Sequence, residues 1–107
     1  MSEFNVGGTW TLHQGTGHQV TFEIQQNGTS LDGEASTPGM RGKGKGSVAG
    51  DRFVYTVDWD PTGKGNGPLG EYSGLFNIEG RITGLTVDLN QPGSQAFWAS
   101  DRTFARA

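Results

Sequence analysis

Glycine most restricts what this chain can fold into, because 19 of its 107 residues are glycine and they lie between short alternating segments. An interior glycine destabilises a helix by about 1 kcal/mol relative to alanine, so this distribution argues against long helices. Only four prolines accompany the glycines, and no collagen-like period is present. Glycines spaced in this way are typical of turns, bulges and the corners of β-barrels. The chain is therefore predicted to be all-β.

Eight segments alternate apolar and polar residues, and turn residues bound each of them. The clearest, "RFVYTVDW" at residues 52–59, has a large apolar residue at every second position. The Asn-Gly pair in "QNGTS" predicts a tight hairpin turn, whereas "TPGMRGKGKG" is expected to be a mobile loop. The predicted strands cover residues 9–13, 19–25, 30–36, 46–49, 52–59, 71–78, 81–89 and 96–104.

Eight consecutive strands with hairpin-length links predict an antiparallel up-and-down meander. Closing that meander into an eight-stranded β-barrel removes its exposed edges and leaves an interior for packed side chains or one small ligand. A two-sheet sandwich is the competing arrangement. We expect a single domain over residues 1–107, with residues 1–7 as a flexible N-terminal arm.

Charge, cysteine content and hydropathy exclude several function classes. The formal net charge of −3 offers no field for binding nucleic acid, and a chain without cysteine has no thiol chemistry. No segment approaches about 18 apolar residues, so no membrane partner is predicted. The first residues show no signal peptide, so the compartment stays open, with a soluble and even a secreted protein compatible with the sequence.

Several short motifs follow one another in a particular order. "GTWTL" lies in the first strand, "SLDGEAST" in the third, "FVYTVDW" in the fifth, "GEYSGLF" in the sixth and "EGRITGLTVDL" in the seventh, and "DRTFAR" lies at the end. In this order they resemble the avidin/streptavidin family of biotin-binding barrels, within the wider calycin group. The resemblance implies an eight-stranded barrel that binds a small molecule without a cofactor and forms homodimers or homotetramers. Leu75, Leu85 and Val87 would form the self-association face.

The same resemblance implies where a ligand would bind. Two threonines match hydroxyl positions at the family's barrel mouth, and Trp59 and Tyr72 match aromatic positions. One further Trp and one Asp are out of phase with the family positions that they approximate. The candidate ligand-binding residues are Thr16, Thr37, Trp59, Tyr72, Trp98 and Asp101.

Other ligand-contacting positions of the family hold residues that cannot make the same contacts. Leu12 stands in place of an Asn, Ala35 in place of a Tyr, and Thr86 in place of a Trp, while Gly70 replaces a hydroxyl. Each polar ligand group buried without a partner costs about 1–3 kcal/mol. The biotin site is therefore expected to be largely diverged, and a retained cavity is expected to take another partly polar ring, such as a sugar.

Trp10 near the start of the chain has a structural interpretation. In calycins, a Trp of the opening strand packs against a basic residue of the last strand and closes the barrel. Arg102 or Arg106 would supply that cation above the Trp10 indole.

Other functions stay open. A carbohydrate-binding module or lectin would present Trp59 and Trp98 on its surface, and an inhibitor of a secreted protease would insert its N-terminal arm into the protease. The barrel could also be solid and bind nothing. No nucleophile–base pair is recognisable, so an enzyme is not predicted. The segment from Asp60 to Glu71 has acids at EF-hand positions, but Lys64 occupies a ligand position, so no metal is predicted.

Overall fold

The fold is a closed barrel of eight antiparallel strands, seen in a computed structural model that describes residues 3–60 and 68–106. Each strand pairs with the next in the sequence, and β8 pairs with β1 to close the barrel. No helix among the described residues is long and apolar enough to cross a membrane. The predicted eight-stranded up-and-down barrel is confirmed. The strands are β1 Gly8–Gln14, β2 Gln19–Asn27, β3 Ser30–Thr37, β4 Met40–Ala49, β5 Arg52–Asp58, β6 Leu69–Phe76, β7 Arg81–Asp88 and β8 Gln91–Thr103.

The prediction of a mobile loop at "TPGMRGKGKG" was wrong, because most of that segment lies in β4. Basic residues and glycines alternate there with the period of two that a strand requires. The lysines are exposed, while Gly42 and Gly44 are buried on the inner face. A Cβ atom on Gly44 would lie 2.2 Å from Cζ of Tyr55, so the bare glycine makes room for that ring. The glycines of β4 therefore complete the core by contributing no side chain.

The last hairpin is also tighter than predicted. Asp88 pairs with Gln91, so only two residues link β7 to β8, and β8 begins five residues earlier than expected. Residues 61–67 lie outside the described residues. Most of the EF-hand-like pattern from Asp60 to Glu71 falls on them.

A continuous chain of aromatic rings fills the barrel interior. Trp10 lies edge-on to Phe22 at 5.2 Å between ring centroids, and Phe22 contacts Tyr55 at 4.8 Å and Tyr72 at 5.2 Å. Tyr72 in turn contacts Trp98 at 6.3 Å. Because an eight-stranded barrel is only wide enough for packed side chains or one small ligand, these rings leave room for a ligand only near an end.

Trp10 closes the end of the barrel opposite the mouth, but not through a cation above its indole. The indole is 3% exposed, and its Nε1 donates a hydrogen bond to the Val6 carbonyl at 3.0 Å. Phe104 packs against the indole at 4.9 Å, and the Arg102 guanidinium lies over Phe104 at 5.0 Å from its centroid. The expected pairing of Arg102 with Trp10 is therefore corrected, since Phe104 occupies the position beside the indole.

The N-terminal segment is packed against this closed end. Residues 1–7 were expected to form a flexible arm, whereas Phe4 and Val6 are buried. The Phe4 ring stacks on Phe76 at 3.9 Å between ring centroids. Phe4 also forms an isolated antiparallel β-bridge with Arg106, whose guanidinium lies 4.3 Å from the Phe4 ring centroid. The described part of the segment contributes apolar surface to the core, which explains why it does not extend into solvent.

The Gln26 side chain holds this segment in place, and we expect Gln26→Ala to destabilise the protein. Its Oε1 accepts from the Val6 amide at 2.8 Å, and its Nε2 donates to the carbonyls of Phe4 and Gly28. Leaving these backbone groups unpaired costs about 1–3 kcal/mol. Urea unfolding would measure the loss, with Gln25→Ala at an exposed neighbour as the control. Equal stability of the two variants would contradict the role of Gln26.

Candidate functional site

A cup opens at the end of the barrel opposite Trp10. Its volume is about 320 Å³, at the small end of ligand-binding sites. It lies where β1, β6, β7 and β8 meet the turn between β1 and β2. Three of the predicted residues line it: Thr16, Trp59 and Tyr72. The structure thus brings residues 56 positions apart in sequence into one cavity, and they include both aromatic positions implied by the resemblance.

The floor and wall of the cup are formed by Trp59 and Tyr72. Trp59 follows β5, its amide donates to the Pro68 carbonyl at 2.9 Å, and the side chain is 8% exposed. Tyr72 points inward from β6 and is 4% exposed. Burial raises the pKa of the Tyr72 phenol, and hydrogen bonds with the side chains of Thr86 and Trp59 partly offset that rise. Tyr72 is therefore a neutral phenol at physiological pH, held in position by two neighbours.

Polar side chains form the rim of the cup. Thr16 Oγ1 lies 2.9 Å from Nδ1 of His18 within the turn between β1 and β2, and Gln14 Nε2 lies 3.4 Å from the same hydroxyl. Ser94, from the first part of β8, lines the opposite side. The cup therefore combines an aromatic floor with a rim of hydroxyl, amide and imidazole groups.

Three predicted residues lie elsewhere. Thr37 donates to the Gln19 carbonyl at 2.9 Å and lines a separate depression beside the hairpin between β3 and β4. Trp98 is fully buried beneath Tyr72, inside the core. Asp101 is exposed on the outer wall, where its Oδ1 accepts from the Thr11 amide at 3.2 Å. Asp101 faces outward because it directly follows the inward-facing Ser100, and neighbouring residues of a strand point to opposite faces. Asp101 therefore does not point into the barrel as a ligand contact would.

The sequence interpretation missed His18, Gln14 and Ser94 as members of the cup. The available signal for His18 was weak, since its only link to the site is that it lies two residues after the candidate residue Thr16. Thr86 and Gly70 line the cup as well, at positions where the family carries ligand-contacting groups. Nothing in the local sequence placed Ser94 there, because it depends on the early start of β8.

The positions at which the family's biotin contacts are replaced are apolar in the structure. Leu12 is fully buried and Ala35 is 2% exposed, both on the inner face. Neither side chain can donate or accept a hydrogen bond, so a polar group at their depth would have no side-chain partner from them. A polar group would therefore find side-chain partners in the shallow cup and not at the depth of Leu12 and Ala35.

The comparisons with known proteins give no relative from which a function can be transferred. No protein-family model matches the chain, and no curated protein or solved structure matches it. The resemblance to the avidin/streptavidin family therefore stays a prediction. In the described residues no group of three or more His, Cys, Asp or Glu side chains could hold a metal ion.

The two tyrosines predict how stability depends on alkaline pH. Burial raises the pKa of Tyr72, and burial together with the carboxylates of Asp32 and Glu34 raises the pKa of Tyr55. In the unfolded chain both phenols ionise near their ordinary pKa of 10.0, while the native state still holds its protons. The contribution of these two phenols to the free energy of unfolding is therefore constant below about pH 9 and falls above pH 10, by up to about 1.4 kcal/mol per pH unit for each tyrosine.

Urea unfolding at a series of pH values between about 9 and 12, a range that spans the ordinary pKa of a phenol, would measure this slope. Phenolate absorbance in the native protein would show ionisation only well above pH 10. The Tyr55→Phe variant should lose about half of the slope, and a slope unchanged by that substitution would contradict the assignment to Tyr55.

Proposed function

We propose that the protein binds a small hydroxylated ring compound, about the size of a monosaccharide, without covalent chemistry in the mouth cup. One observation supports this above others: Trp59 and Tyr72 lie in one cup with the hydroxyls of Thr16, Thr86 and Ser94. An apolar ring face fits aromatic side chains, and ring hydroxyls fit short polar side chains that both donate and accept.

The size and depth of the cup support a single ring rather than a longer ligand. At about 320 Å³ it is closed below by the packed core, where Tyr72 lies on Trp98. Small-ligand sites ordinarily combine an apolar lining with a few convergent polar groups. A ring ligand would lie against the parts of Trp59 and Tyr72 that are exposed to the cup and direct its hydroxyls toward Thr16 and the rim.

Two rival functions find less support in the structure. A lectin that stacks sugars on surface rings would need exposed tryptophans, and Trp59 and Trp98 are 8% and 0% exposed. An inhibitor with an inserting arm would need a free N-terminal segment, and Phe4 and Val6 are packed into the barrel end. Binding in the cup requires neither.

The test is a titration of the protein with methyl β-D-glucopyranoside, myo-inositol and biotin, followed by amide NMR. We expect one or both hydroxylated rings to shift the amide signals of Thr16, Gly70 and Thr86, and to change Trp59 fluorescence. Biotin should shift these signals less, because Leu12 and Ala35 replace two of the polar residues in the family's pattern. If no ring compound shifts cup signals at millimolar concentration, the proposal fails.

We further propose that the protein forms a homodimer through the outer faces of β6, β7 and β8. Leu75, Leu85 and Phe97 are 58%, 47% and 60% exposed there, and Leu85 lies directly opposite Phe97 in the β7–β8 register. Val87 adds a half-buried aliphatic side chain to the same face. A contiguous exposed apolar patch of this kind is typical of a protein–protein interface.

We expect Phe97→Glu to convert the dimer into a monomer, since a carboxylate would be buried at the interface without a partner. Analytical ultracentrifugation at about 100 μM, near the range of weak dimers, would measure the change. Ile78→Glu, at a fully exposed apolar residue in the turn between β6 and β7, is the matched control and should leave the dimer intact. A monomeric wild-type protein at that concentration would refute the dimer.

A further inference from the structure

Among the residues that the structure describes, the lining of the mouth cup holds one carboxylate and no lysine or arginine side chain. The carboxylate belongs to Asp88, the last residue of β7. The other polar side chains of the lining are the hydroxyls, the amide and the imidazole already described. The cup can therefore distinguish ligands by their charge as well as by their shape.

The register between β6 and β7 places Asp88 on the face of the sheet that forms the cup. Asp88 pairs with Gly70, and two residues earlier Thr86 pairs with Tyr72. Tyr72 and Thr86 are buried on the inner face, and alternate residues of a strand share a face, so Asp88 lies on the inner face as well. Its direct cross-strand partner is a glycine, so no β6 side chain lies opposite the Asp88 carboxylate.

The fold uses one of the two carboxylate oxygens of Asp88. Oδ1 accepts from the Asn90 amide at 2.9 Å, which fixes the carboxylate at the turn between β7 and β8. Within residues 3–60 and 68–106, Oδ2 has no hydrogen-bond partner, and the ion pair in this part of the chain joins Arg106 to Asp51. Asp88 is thus a half-buried carboxylate without a cation, and such a group binds a positively charged donor strongly.

Buried neighbours of Gly70 strengthen any ionic contact made in the cup. A Cβ atom on Gly70 would lie 3.0 Å from Nε1 of Trp59 and 3.5 Å from Cε1 of Tyr72, so both rings lie next to the cross-strand partner of Asp88. Trp59 and Tyr72 are 8% and 4% exposed. Apolar walls lower the local dielectric constant and concentrate the field of a charge in a cleft. An ion pair in the cup is therefore stronger than one on an open surface.

We propose that the mouth cup prefers a hydroxylated ring that carries an ammonium group, and that Oδ2 of Asp88 accepts a hydrogen bond from this ammonium. Amino sugars and amino-substituted cyclitols share this chemistry. The inference rests on the proposed function and adds the charge of the ligand to it. The hydroxyls of Thr16 and Thr86 stay available to the ring hydroxyls, since the ammonium group is directed to the end of β7.

The test uses three methyl β-D-glucopyranosides that differ only at carbon 6. The parent carries a hydroxyl there, the 6-amino-6-deoxy compound an ammonium, and the glucuronide a carboxylate. Isothermal titration at about pH 7.5 and low ionic strength keeps a primary alkyl amine protonated. We expect the amine to bind about tenfold more tightly than the parent, and the glucuronide at least about threefold more weakly. At about 1 M salt, where the screening length is about 3 Å, this preference should shrink.

Two matched variants test whether Asp88 is the source of the preference. Asp88→Asn keeps an Oδ1 acceptor for the Asn90 amide but removes the charge, so the ratio of amine to parent affinity should fall from about ten to about one. Asp101→Asn makes the same change on the outer wall and should leave that ratio at about ten. Thermal melts would show that both variants are folded. If Asp88→Asn keeps the preference for the amine, another group recognises the ammonium and the inference is wrong.

The parent glucoside separates a failure of this inference from a failure of the proposed function. If the glucoside binds and the amine binds no more tightly, the proposed function stands and the preference for an ammonium is overturned. If none of the three compounds binds, both are overturned. Amide NMR locates the binding, because the amine should shift the signals of Thr16, Gly70 and Asp88, and shifts confined to other residues would also overturn the inference. The ligand series and its salt dependence are measured on the unaltered protein, so they test the inference independently of the variants.

Discussion

Gly84→Ala is expected to destabilise the barrel by about 3 kcal/mol, at the upper end of the range for overpacking. Gly84 lies opposite Gly74 where β6 and β7 pair. A Cβ atom on Gly84 would lie 1.8 Å from the Ser73 carbonyl oxygen and 2.6 Å from Cα of Gly74. Both are backbone atoms, so relief requires the two strands to move apart rather than one side chain to rotate. For a chain of this size, the melting temperature should fall by roughly 10–20 °C.

The matched control is Gly93→Ala in β8, where nothing lies within 4 Å of the added Cβ atom. That substitution should change stability by less than about 0.5 kcal/mol, as expected at an open surface position. Differential scanning calorimetry of the two variants would measure the difference. If both variants melt together with the parent protein, β6 and β7 can separate at little cost, and close approach of these strands does not contribute to stability.

The role of glycine at close strand contacts also explains why the fold was predictable from the sequence while most of β4 was not. Alternation in β2 and β5 is carried by large apolar side chains such as Phe22 and Tyr55, which any period-two pattern detects. In β4 the inward positions hold glycine, so the alternation is present but has no hydrophobic signal. What makes Gly44 a core residue is the Tyr55 ring on the neighbouring strand. Such a contact joins residues that are distant in sequence, and local patterns do not contain it.

The candidate site was predictable to the extent that strand phase could be known. Trp59 and Tyr72 lie in regular alternating segments, so their inward direction followed from the pattern. Trp98 is inward as well, but the chain of rings below the mouth buries it completely. Asp101 lies within the irregular part of the β7–β8 pairing, between Ala99, which pairs with Thr83, and Thr103, which pairs with Arg81, so its face could not be settled from sequence spacing. A one-residue shift is enough to turn a ligand contact into an outer-wall residue.

The mouth cup gives the second large expected effect: Gly70→Val should weaken binding of methyl β-D-glucopyranoside at least about 100-fold, or about 2.7 kcal/mol. Gly70 lines the cup between its two aromatic residues. A Cβ atom there would lie 3.0 Å from Nε1 of Trp59 and 3.5 Å from Cε1 of Tyr72, so the backbone accepts a side chain after a small adjustment of the ring. The two methyl groups of valine would then occupy the space into which the sugar ring is proposed to fit.

Folding should survive this change, because β-branched residues are favourable in strands and Gly70 requires no unusual backbone conformation. Gly15→Val, at an exposed rim glycine whose Cβ atom would make only ordinary contacts with Phe97, is the matched control and should retain binding. Isothermal titration with the glucoside would give both affinities, and thermal melts would show that both variants are folded. A folded Gly70→Val protein that binds the glucoside as tightly as the control would place the ligand outside the cup. Loss of binding in a folded Gly70→Val variant alone would assign the ligand to the space between Trp59 and Tyr72, because both variants carry the same added side chain and only the one at Gly70 enters that space.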